Sequence, residues 1–235
     1  MSSIDDYPNI MTWDLRETLR REKKSLGFYV SGHPLDRYGP TLARFGVVPV
    51  IALRGMSTWA RVRVGGMAEN YREKTFRTGN GKVAFFVLED ASGRVDVKVR
   101  QAQIESYSSI LTSGEPVLVA GKTQLPQQDE NDESAEPSDP TLILDQAVLL
   151  AEAVCVETRV VTVRLDERRH RQDQLHGLRE ALAKHPGPCP VQLTIRLHDA
   201  RTATLTLPAV CRVEPADELL THLENLFGES VIELS

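Results

Sequence analysis

The 235-residue sequence has few cysteines and few aromatic residues, and it has no long hydrophobic run. Its three cysteines, Cys155, Cys189 and Cys211, form no C-x-x-C pair, which favours free thiols in a reducing cytosol over a disulfide framework. No apolar stretch approaches the roughly 18 residues that a membrane-spanning helix needs. The N-terminus carries acids and no apolar signal core, so no export signal is predicted. The composition therefore predicts a globular, cytoplasmic chain.

Charge is distributed unevenly along the chain. The formal net charge of −5 has the wrong sign for a protein that relies on non-specific DNA binding. Between residues 61 and 82, however, six basic residues stand against two acidic ones, and between residues 125 and 141 there are six acidic residues and no basic one. The basic residues are Arg61, Arg63, Arg72, Lys74, Arg77 and Lys82. We therefore expect a local cationic strip on a protein that is acidic as a whole.

The first quarter of the chain predicts a flexible start over residues 1–12 and a helical lead-in over residues 13–57. A helix is predicted over residues 13–31, with Asp14 in its first turn and an end where Gly32 and Pro34 interrupt it. Its apolar residues are broadly spaced for one face, and they are Trp13, Leu15, Leu19 and Leu26.

Residues 58–151 change to the period-two pattern of β-strands. Alternation at residues 61–64 leads to Gly65-Gly66, a pair that suggests a bulge or a sharp bend. Further strands are predicted over residues 82–90, around 95–100, and over 116–122 and 141–150, with a short helix over 101–112. This is the order of an OB-fold, a five-stranded barrel that binds oligonucleotides on strands 2–3 and on loops 1–2 and 4–5. Loop 4–5 is then the acidic stretch 125–140, for which we expect disorder.

Residues 158–235 alternate between strands and helices. Strands are predicted over 160–165, 190–197, 201–207 and 230–234, and helices over about 169–184 and 215–227. This βαββαβ order suggests a small ferredoxin-like α/β sandwich. The predicted fold class of the whole chain is therefore α+β.

Three stretches together resemble one protein family. They are EKKSLGFYVSGHPL at residues 22–35, GKVAFFVLED at residues 81–90 with the Ser92-Gly93 turn, and the tail signatures His185-Pro186-Gly187 and Leu226-Phe227-Gly228. The first is similar to the segment that precedes the OB domain of the bacterial DNA polymerase III alpha subunit. The second resembles that family's OB signature, and the third resembles its C-terminal domain. The resemblance runs from about Trp13 to Leu234.

The resemblance implies a role in DNA replication without catalysis by this chain. In that family the polymerase active site with its metal-binding aspartates, the tandem helix-hairpin-helix element and the internal clamp-binding motif lie N-terminal to the region resembled. None has a counterpart here, which implies either an excised C-terminal fragment or a separate protein built from that end. The resemblance also implies contact with single-stranded template through the OB domain and docking of the clamp-loader tau subunit, or of a polymerase partner, through the tail.

The cationic strip is the candidate nucleic-acid site. An OB groove holds single strands through cations that follow the phosphates and through aromatic side chains on which bases stack. Adjacent strand residues face opposite sides, so one of Phe85 and Phe86 fills the barrel, and similarity to related OB domains favours Phe85 as the stacking platform. The predicted contacts are Arg61, Arg63, Arg72, Lys74, Arg77, Lys82, Phe85 and Lys98. The acidic loop is expected to make binding weak and sensitive to salt.

The last predicted helix provides a second candidate surface. Its apolar stripe is either core or a partner-docking ridge, and the residues concerned are Leu219, Leu223, Leu226 and Phe227. No catalytic constellation, phosphate-cradling loop or metal-ligand spacing is recognised, so no cofactor and no metal are predicted. Glu89 and Asp90 precede a tight turn, and diverging strand neighbours do not converge on a shared metal ion.

Two other interpretations are open. The pattern G-K-x-A-F-x-x-L-x-D-x-x-G is also characteristic of the anticodon-binding OB domains of aminoacyl-tRNA synthetases, although residues 22–35 and the absence of a synthetase catalytic domain count against that interpretation. A barrel of this kind could also serve protein interaction alone and never contact nucleic acid.

Overall fold

The computed structural model describes residues 13, 15–76, 81–125, 139–228 and 231–235. The predicted flexible start at 1–12 and nearly all of the acidic loop at 125–140 lie outside these residues. The described residues form two hydrophobic cores, one inside a β-barrel and one beneath a second sheet. None of the helices in these ranges combines the length and the apolar character that a bilayer crossing requires.

The lead-in contains α1 (Leu15–Leu26), a 3-10 turn (Asp36–Tyr38), α2 (Gly39–Arg44) and a second 3-10 turn (Val50–Gly55). α1 is shorter than the predicted helix, because Gly27 adopts a φ of +82° and its N–H closes the last turn on the carbonyl oxygen of Lys23. Gly27, and not Gly32 with Pro34, therefore ends the helix.

The predicted apolar face of α1 is only partly buried. Leu19 is buried, whereas Trp13, Leu15 and Leu26 are each more than half exposed. The Arg21 guanidinium lies 3.9 Å from the centre of the Trp13 ring. Apolar burial therefore does little to hold α1 in place, and polar contacts hold it instead.

The barrel is built from β1 (Arg61–Thr75), β2 (Lys82–Asp90), β3 (Gly93–Arg100), α3 (Gln101–Leu111), β4 (Pro116–Gln124) and β5 (Thr141–Leu149). The strands pair in the closed order β1-β2-β3-β5-β4. β3 and β5 are parallel, and the other four pairs are antiparallel. The predicted five-stranded barrel is confirmed, with its helix between the third and fourth strands as in an OB-fold.

β1 closes the barrel because it pairs with two strands in turn. Its first half pairs with β4 and its second half with β2, and Met67 has a partner in each. Next to it, a Cβ on Gly66 would lie 2.8 Å from the Leu88 side chain and from the Glu89 carbonyl oxygen. The strand therefore changes partners at a position that has no room for a side chain.

The bulge suggested at Gly65-Gly66 is not found there. The ladder runs without a shift through both glycines, and the irregularities lie between Glu69 and Arg72 in β1 and between Ala120 and Gly121 in β4. The glycine pair therefore serves close packing and does not change the register.

α1 is joined to the barrel by partly buried ion pairs. The Lys23 ammonium lies 2.7 Å from the Glu69 carboxylate on β1 and 3.1 Å from the Glu89 carboxylate on β2. Beside Glu89, the Asp90 carboxylate accepts hydrogen bonds from the backbone N–H groups of Ser92 and Gly93 at 2.7 and 2.9 Å, as the predicted turn requires. Both acids therefore have structural roles.

The chain beyond the barrel forms α4 (Leu150–Glu157), β6 (Val161–Asp166), α5 (Gln172–Lys184), β7 (Pro186–Cys189), β8 (Val191–Arg196), β9 (Thr202–Thr206), α6 (Asp217–Phe227) and β10 (Ile232–Leu234). β7 is a short segment that bridges only to Val213. The other four strands form the second sheet in the order β10-β6-β8-β9, in which β6 and β8 are parallel neighbours.

The sheet order corrects the ferredoxin-like expectation. A ferredoxin-like fold contains a split βαβ unit, in which another strand lies between the two parallel strands. Here β6 pairs directly with β8, and β9 lies at the edge. The physical reason is the apolar side of each strand. Val191, Leu193 and Ile195 of β8 pack into or against the core, whereas Leu205 of β9 is 52% exposed, so β8 takes the central position and β9 the edge.

The lead-in also contacts α6, the last helix of the chain. The Arg37 guanidinium lies 3.2 Å from the Glu224 carboxylate and 3.7 Å from that of Asp217, both on α6. Buried Tyr38 donates a hydrogen bond to Asp217. Burial and the negative charge of Asp217 raise the pKa of Tyr38 well above its usual value. The phenol therefore stays protonated and able to donate across the physiological pH range.

Replacement of Lys23 by alanine tests the join between α1 and the barrel. Burial raises the pKa of Glu89, but hydrogen bonds from Arg94 and Lys23 outweigh it and leave that pKa below its usual value. Because Lys23→Ala leaves two part-buried carboxylates without their cation, we expect the free energy of unfolding at pH 7 to fall by about 1–2 kcal/mol. Urea denaturation measures it.

The pH dependence of that loss has a defined sign. A carboxyl with a lowered folded-state pKa adds stability above its unfolded pKa, and that stability disappears as the pH falls through the folded value. The difference between Lys23→Ala and the parent should therefore shrink as the solution is acidified. Exposed Lys24 provides the matched control. Equal losses for Lys24→Ala and Lys23→Ala would contradict the assignment.

Replacement of Gly66 by alanine tests the closure of the barrel. The new Cβ would overlap Leu88 and the Glu89 carbonyl, so we expect the free energy of unfolding to fall by about 1–3 kcal/mol. Gly55→Ala is the control, because a Cβ there meets no atom within 4 Å. Comparison of the two urea midpoints checks the prediction, and an unchanged midpoint for Gly66→Ala would show that the barrel tolerates a side chain at this point.

Candidate nucleic-acid interface

The two phenylalanines of β2 lie on opposite sides of the strand. Phe86 is buried inside the barrel together with Ala84 and Leu88. Phe85 lies on the outer face and is partly exposed. The alternation of β2 therefore places the aromatic ring that the sequence analysis selected as a stacking platform on the surface of the barrel.

A row of mostly basic residues crosses the barrel at the level of Phe85. Residues directly opposite each other in paired strands share a face. Arg72 of β1 and Lys98 of β3 are the two partners of Phe85, and the pairing continues from Lys98 across β5 and β4 to the start of β1. The residues of this cationic row are, in order, Arg72, Phe85, Lys98, Ile143, Lys122 and Arg61.

Two further basic side chains lie beside the cationic row. The Lys74 ammonium lies 5.8 Å from the centre of the Phe85 ring, within the range of a cation–π contact. Arg100 is exposed on β3, two residues beyond Lys98 and therefore on the same face. A base that stacked on Phe85 would have cations on three sides.

Most of these cations have no acidic partner. Among the described residues, no carboxylate lies within 4.0 Å of the charged groups of Arg61, Arg72, Lys74, Lys98 and Arg100. Lys122 lies 3.9 Å from Asp145, at the limit of an ion pair. The outer face therefore carries positive charge that no acidic residue in the described ranges neutralises, which suits phosphate binding.

Two of the predicted contacts have acidic partners in the structure. Arg63 binds Glu157 of α4, and its guanidinium donates to the Phe45 carbonyl oxygen at 2.9 Å. Lys82 lies on the same side of β2 as Ala84 by alternation, and its ammonium is 3.6 Å from Glu73. Both side chains are thus engaged by acidic residues, and their contact with nucleic acid stays a prediction.

The structure describes only part of the predicted loops 1–2 and 4–5. Arg77 lies outside the described residues, as do five of the six acidic residues of loop 4–5. The sixth, Asp139, accepts hydrogen bonds from Arg54 at 2.8 and 3.2 Å.

Sequence analysis missed three residues of this face. Arg100 could have been found by alternation from Lys98, and Phe76, which is 55% exposed, by alternation from Lys74. Lys122 joins the row through its pairing with Arg61, and no local pattern signals that pairing.

The predicted partner surface on α6 is part of the core. Leu219 and Leu223 are wholly buried, Phe227 is 8% exposed, and Leu226 packs against the same core. A Cβ on Gly177 of α5 would lie 2.7 Å from a methyl group of Leu226. The stripe therefore holds α6 against α5, and a partner could reach these four residues only by opening the second core. The docking assignment of these residues is corrected.

The cysteines are packing residues in the structure. The Cys189 thiol is buried and lies 3.2 Å from the Thr158 carbonyl oxygen. Burial, assisted by the negative charges of Glu214 and Asp217, raises the pKa of the Cys155 thiol to about 11. Within the described ranges, no three His, Cys, Asp or Glu side chains are grouped to hold a metal ion.

Two protein-family models match the chain. One, described as an OB-fold nucleic acid binding domain, matches residues 62–150. The other, described as the C-terminal domain of DNA polymerase III subunit alpha, matches residues 177–228. The first covers the barrel, and the second runs from α5 to the end of α6.

Similar proteins extend the match to almost the whole chain. DNA polymerase III subunit alpha of Mycobacterium leprae is 30% identical over 218 residues, which are 92% of this chain and 18% of that protein. The subunit of Escherichia coli K12 is 28% identical over 232 residues, 97% of this chain and 19% of that protein. The chain thus spans less than a fifth of the length of these relatives.

Among solved structures, the mitochondrial single-stranded DNA binding protein Rim1 of S. cerevisiae is 13% identical, with a TM-score of 0.31, over 39% of this chain and 96% of that one. Nearly the whole chain is similar in sequence to a part of bacterial DNA polymerase III subunit alpha. Within it, the barrel matches the OB-fold nucleic acid binding domain, and residues 177–228 match the C-terminal domain of that subunit.

Proposed function

We propose that this chain is a non-catalytic replication module of the bacterial cytoplasm. Its barrel, over residues 58–151, makes weak contact with single-stranded DNA. Its C-terminal part, over residues 158–235, docks a component of the DNA polymerase III holoenzyme such as the tau subunit, and residues 13–57 hold the two parts together. Similarity to DNA polymerase III subunit alpha supports the replication context, and we assign no polymerase chemistry to this chain.

The cationic row beside Phe85 is the observation that carries the DNA-binding proposal. Single strands are held by cations that follow the phosphates and by aromatic rings that stack on bases, and the row offers both on one face. Phosphates would approach Arg72 and Lys98 without displacing an acidic partner that the structure describes. The face therefore suits a single strand laid across β1, β2 and β3.

The overall charge of the chain limits the strength of this contact. The net charge is −5, and five carboxylates lie in the sequence between residues 126 and 138, in the loop that follows β4. Charges within a Debye length of roughly 8 Å at physiological salt repel phosphate. We therefore expect weak binding that is measurable at low salt and lost as salt is added.

Neutralisation of two cations of the row tests the DNA contact. The Arg72→Ala, Lys98→Ala double variant removes one cation from each side of Phe85. If each contacts one phosphate, the slope of log K against log salt should decrease in magnitude by about 1.4, because each phosphate contact on a single strand contributes about 0.7. Fluorescence anisotropy of labelled oligothymidylate, titrated at several sodium chloride concentrations, measures the slope.

The Arg179→Ala, Lys184→Ala variant is the matched control, because it changes the net charge equally on exposed positions of α5. An identical slope for the two double variants would remove the DNA-binding half of the proposal. Tighter binding of tRNA than of oligothymidylate by the parent would favour the anticodon-binding interpretation. No binding of either by the parent would favour a barrel used for protein interaction alone.

Partner docking is assigned to the open edge of the second sheet. Among the strands that the structure describes, β9 pairs only with β8, and an unpaired strand edge is a site where another chain can add. Beside it, Leu205 is 52% exposed and Val210 is 87% exposed. Together with the match to the C-terminal domain of DNA polymerase III subunit alpha, this edge supports docking of a holoenzyme protein.

Val210→Asp tests that surface. A charge placed in an apolar contact should weaken binding of purified tau subunit by about tenfold or more, as measured by surface plasmon resonance. Val156→Asp is the control, because Val156 is 84% exposed on α4, away from β9. Equal affinities of the two variants for tau would exclude this edge, and no binding of tau by the parent chain would exclude tau as the partner.

A further inference from the structure

Trp59 has an unusual backbone conformation and an exposed ring. It lies two residues before β1 with a φ of +67°, and its side chain is 56% exposed. Residues with a bulky side chain seldom adopt a positive φ, and such outliers cluster at functional sites. Packing therefore gives no reason for tryptophan here, where glycine would remove the strain.

Buried Thr123 holds this turn in place. The Trp59 N–H donates to the Thr123 carbonyl oxygen at 2.6 Å, and the Thr123 hydroxyl donates to the Ser57 carbonyl oxygen at 2.6 Å. The Ala60 N–H donates to the same hydroxyl at 3.1 Å. Residues 57–60 are thus fastened to the end of β4, and the indole is presented from a fixed backbone.

Trp59 stands at the far end of the cationic row. Arg61, the last member of the row, lies two residues after it and pairs with Lys122. Phe85 is four strands away from Arg61 around the barrel, which is about 19 Å at the usual spacing of about 4.8 Å between strands. An aromatic residue therefore lies near each end of the row, with Lys98, Lys122 and Arg61 between them.

We propose that Trp59 is a second nucleobase-stacking site, so that a single strand runs along the row from Phe85 to Trp59. This inference rests on the proposed DNA contact of the barrel. It adds a second stacking residue and the path that the single strand takes across the barrel. A span of this size is consistent with the short end of the range of roughly 4–16 nucleotides bound per OB-fold.

The fluorescence of Trp59 tests the contact directly. The chain has two tryptophans, and Trp13→Phe leaves Trp59 as the single emitter. Addition of an eight-nucleotide oligothymidylate should quench this emission, because an indole stacked on a base loses fluorescence. The midpoint of quenching should agree with the midpoint of anisotropy on the same labelled oligonucleotide.

Trp59→Gly separates function from stability. At a positive φ glycine relieves strain, so the melting temperature should equal or exceed that of the parent. The affinity for the eight-nucleotide oligothymidylate should nevertheless fall by roughly 5- to 100-fold, the usual effect of losing one stacked base. Trp59→Phe should retain most of the affinity. The affinity for a trinucleotide, which is too short to reach both rings, should fall less on the change Trp59→Gly.

The outcomes distinguish the two proposals. If the parent binds the oligonucleotide while Trp59 emission and the affinity of Trp59→Gly are unchanged, the stacking site is excluded and the DNA contact of the barrel stands. If the parent does not bind, the DNA contact itself is excluded and the stacking site with it. A lower melting temperature of Trp59→Gly, without quenching in Trp13→Phe, would make Trp59 a structural residue.

Discussion

The pairing of β1 with two strands is the constraint on which the remaining architecture depends. Met67 has a partner in β2 and another in β4, and Gly66 beside it leaves room for that exchange. Closure fixes the register of all five strands at once. Side chains that are far apart in the sequence are thereby aligned in one row on the outer face, which begins at Arg72 and ends at Arg61, both in β1.

Other cations of the chain serve the fold by pairing with acids. Lys23 binds Glu69 and Glu89, and Arg63 binds Glu157. These contacts hold α1 and α4 against the barrel. The chain therefore uses its cations in two ways, as partners of acids that hold helices on the barrel and as the cationic row, for which the structure describes few acidic partners.

Polar contacts hold the lead-in against both hydrophobic units of the chain. The Glu22 carboxylate accepts hydrogen bonds from the N–H groups of Val30 and Ser31 at 2.8 and 3.0 Å, which folds the segment back on α1. Lys23 then reaches the barrel, and Arg37 reaches α6. Through Glu22, Lys23 and Arg37 the lead-in thus contacts both the barrel and the helix that packs in the second core.

Local periodicity determined a good part of this protein. Alternation placed Phe85 and Phe86 on opposite sides of β2, and similarity to related OB domains selected Phe85 for the outer side. The order of strands and helices was readable because a strand or a helix is specified by its own residues. Tertiary structure decided what depends on distant partners. Arg63 meets Glu157, Leu226 meets Gly177, and β8 pairs with β6, because register and packing are set by contacts between segments that no local pattern encodes.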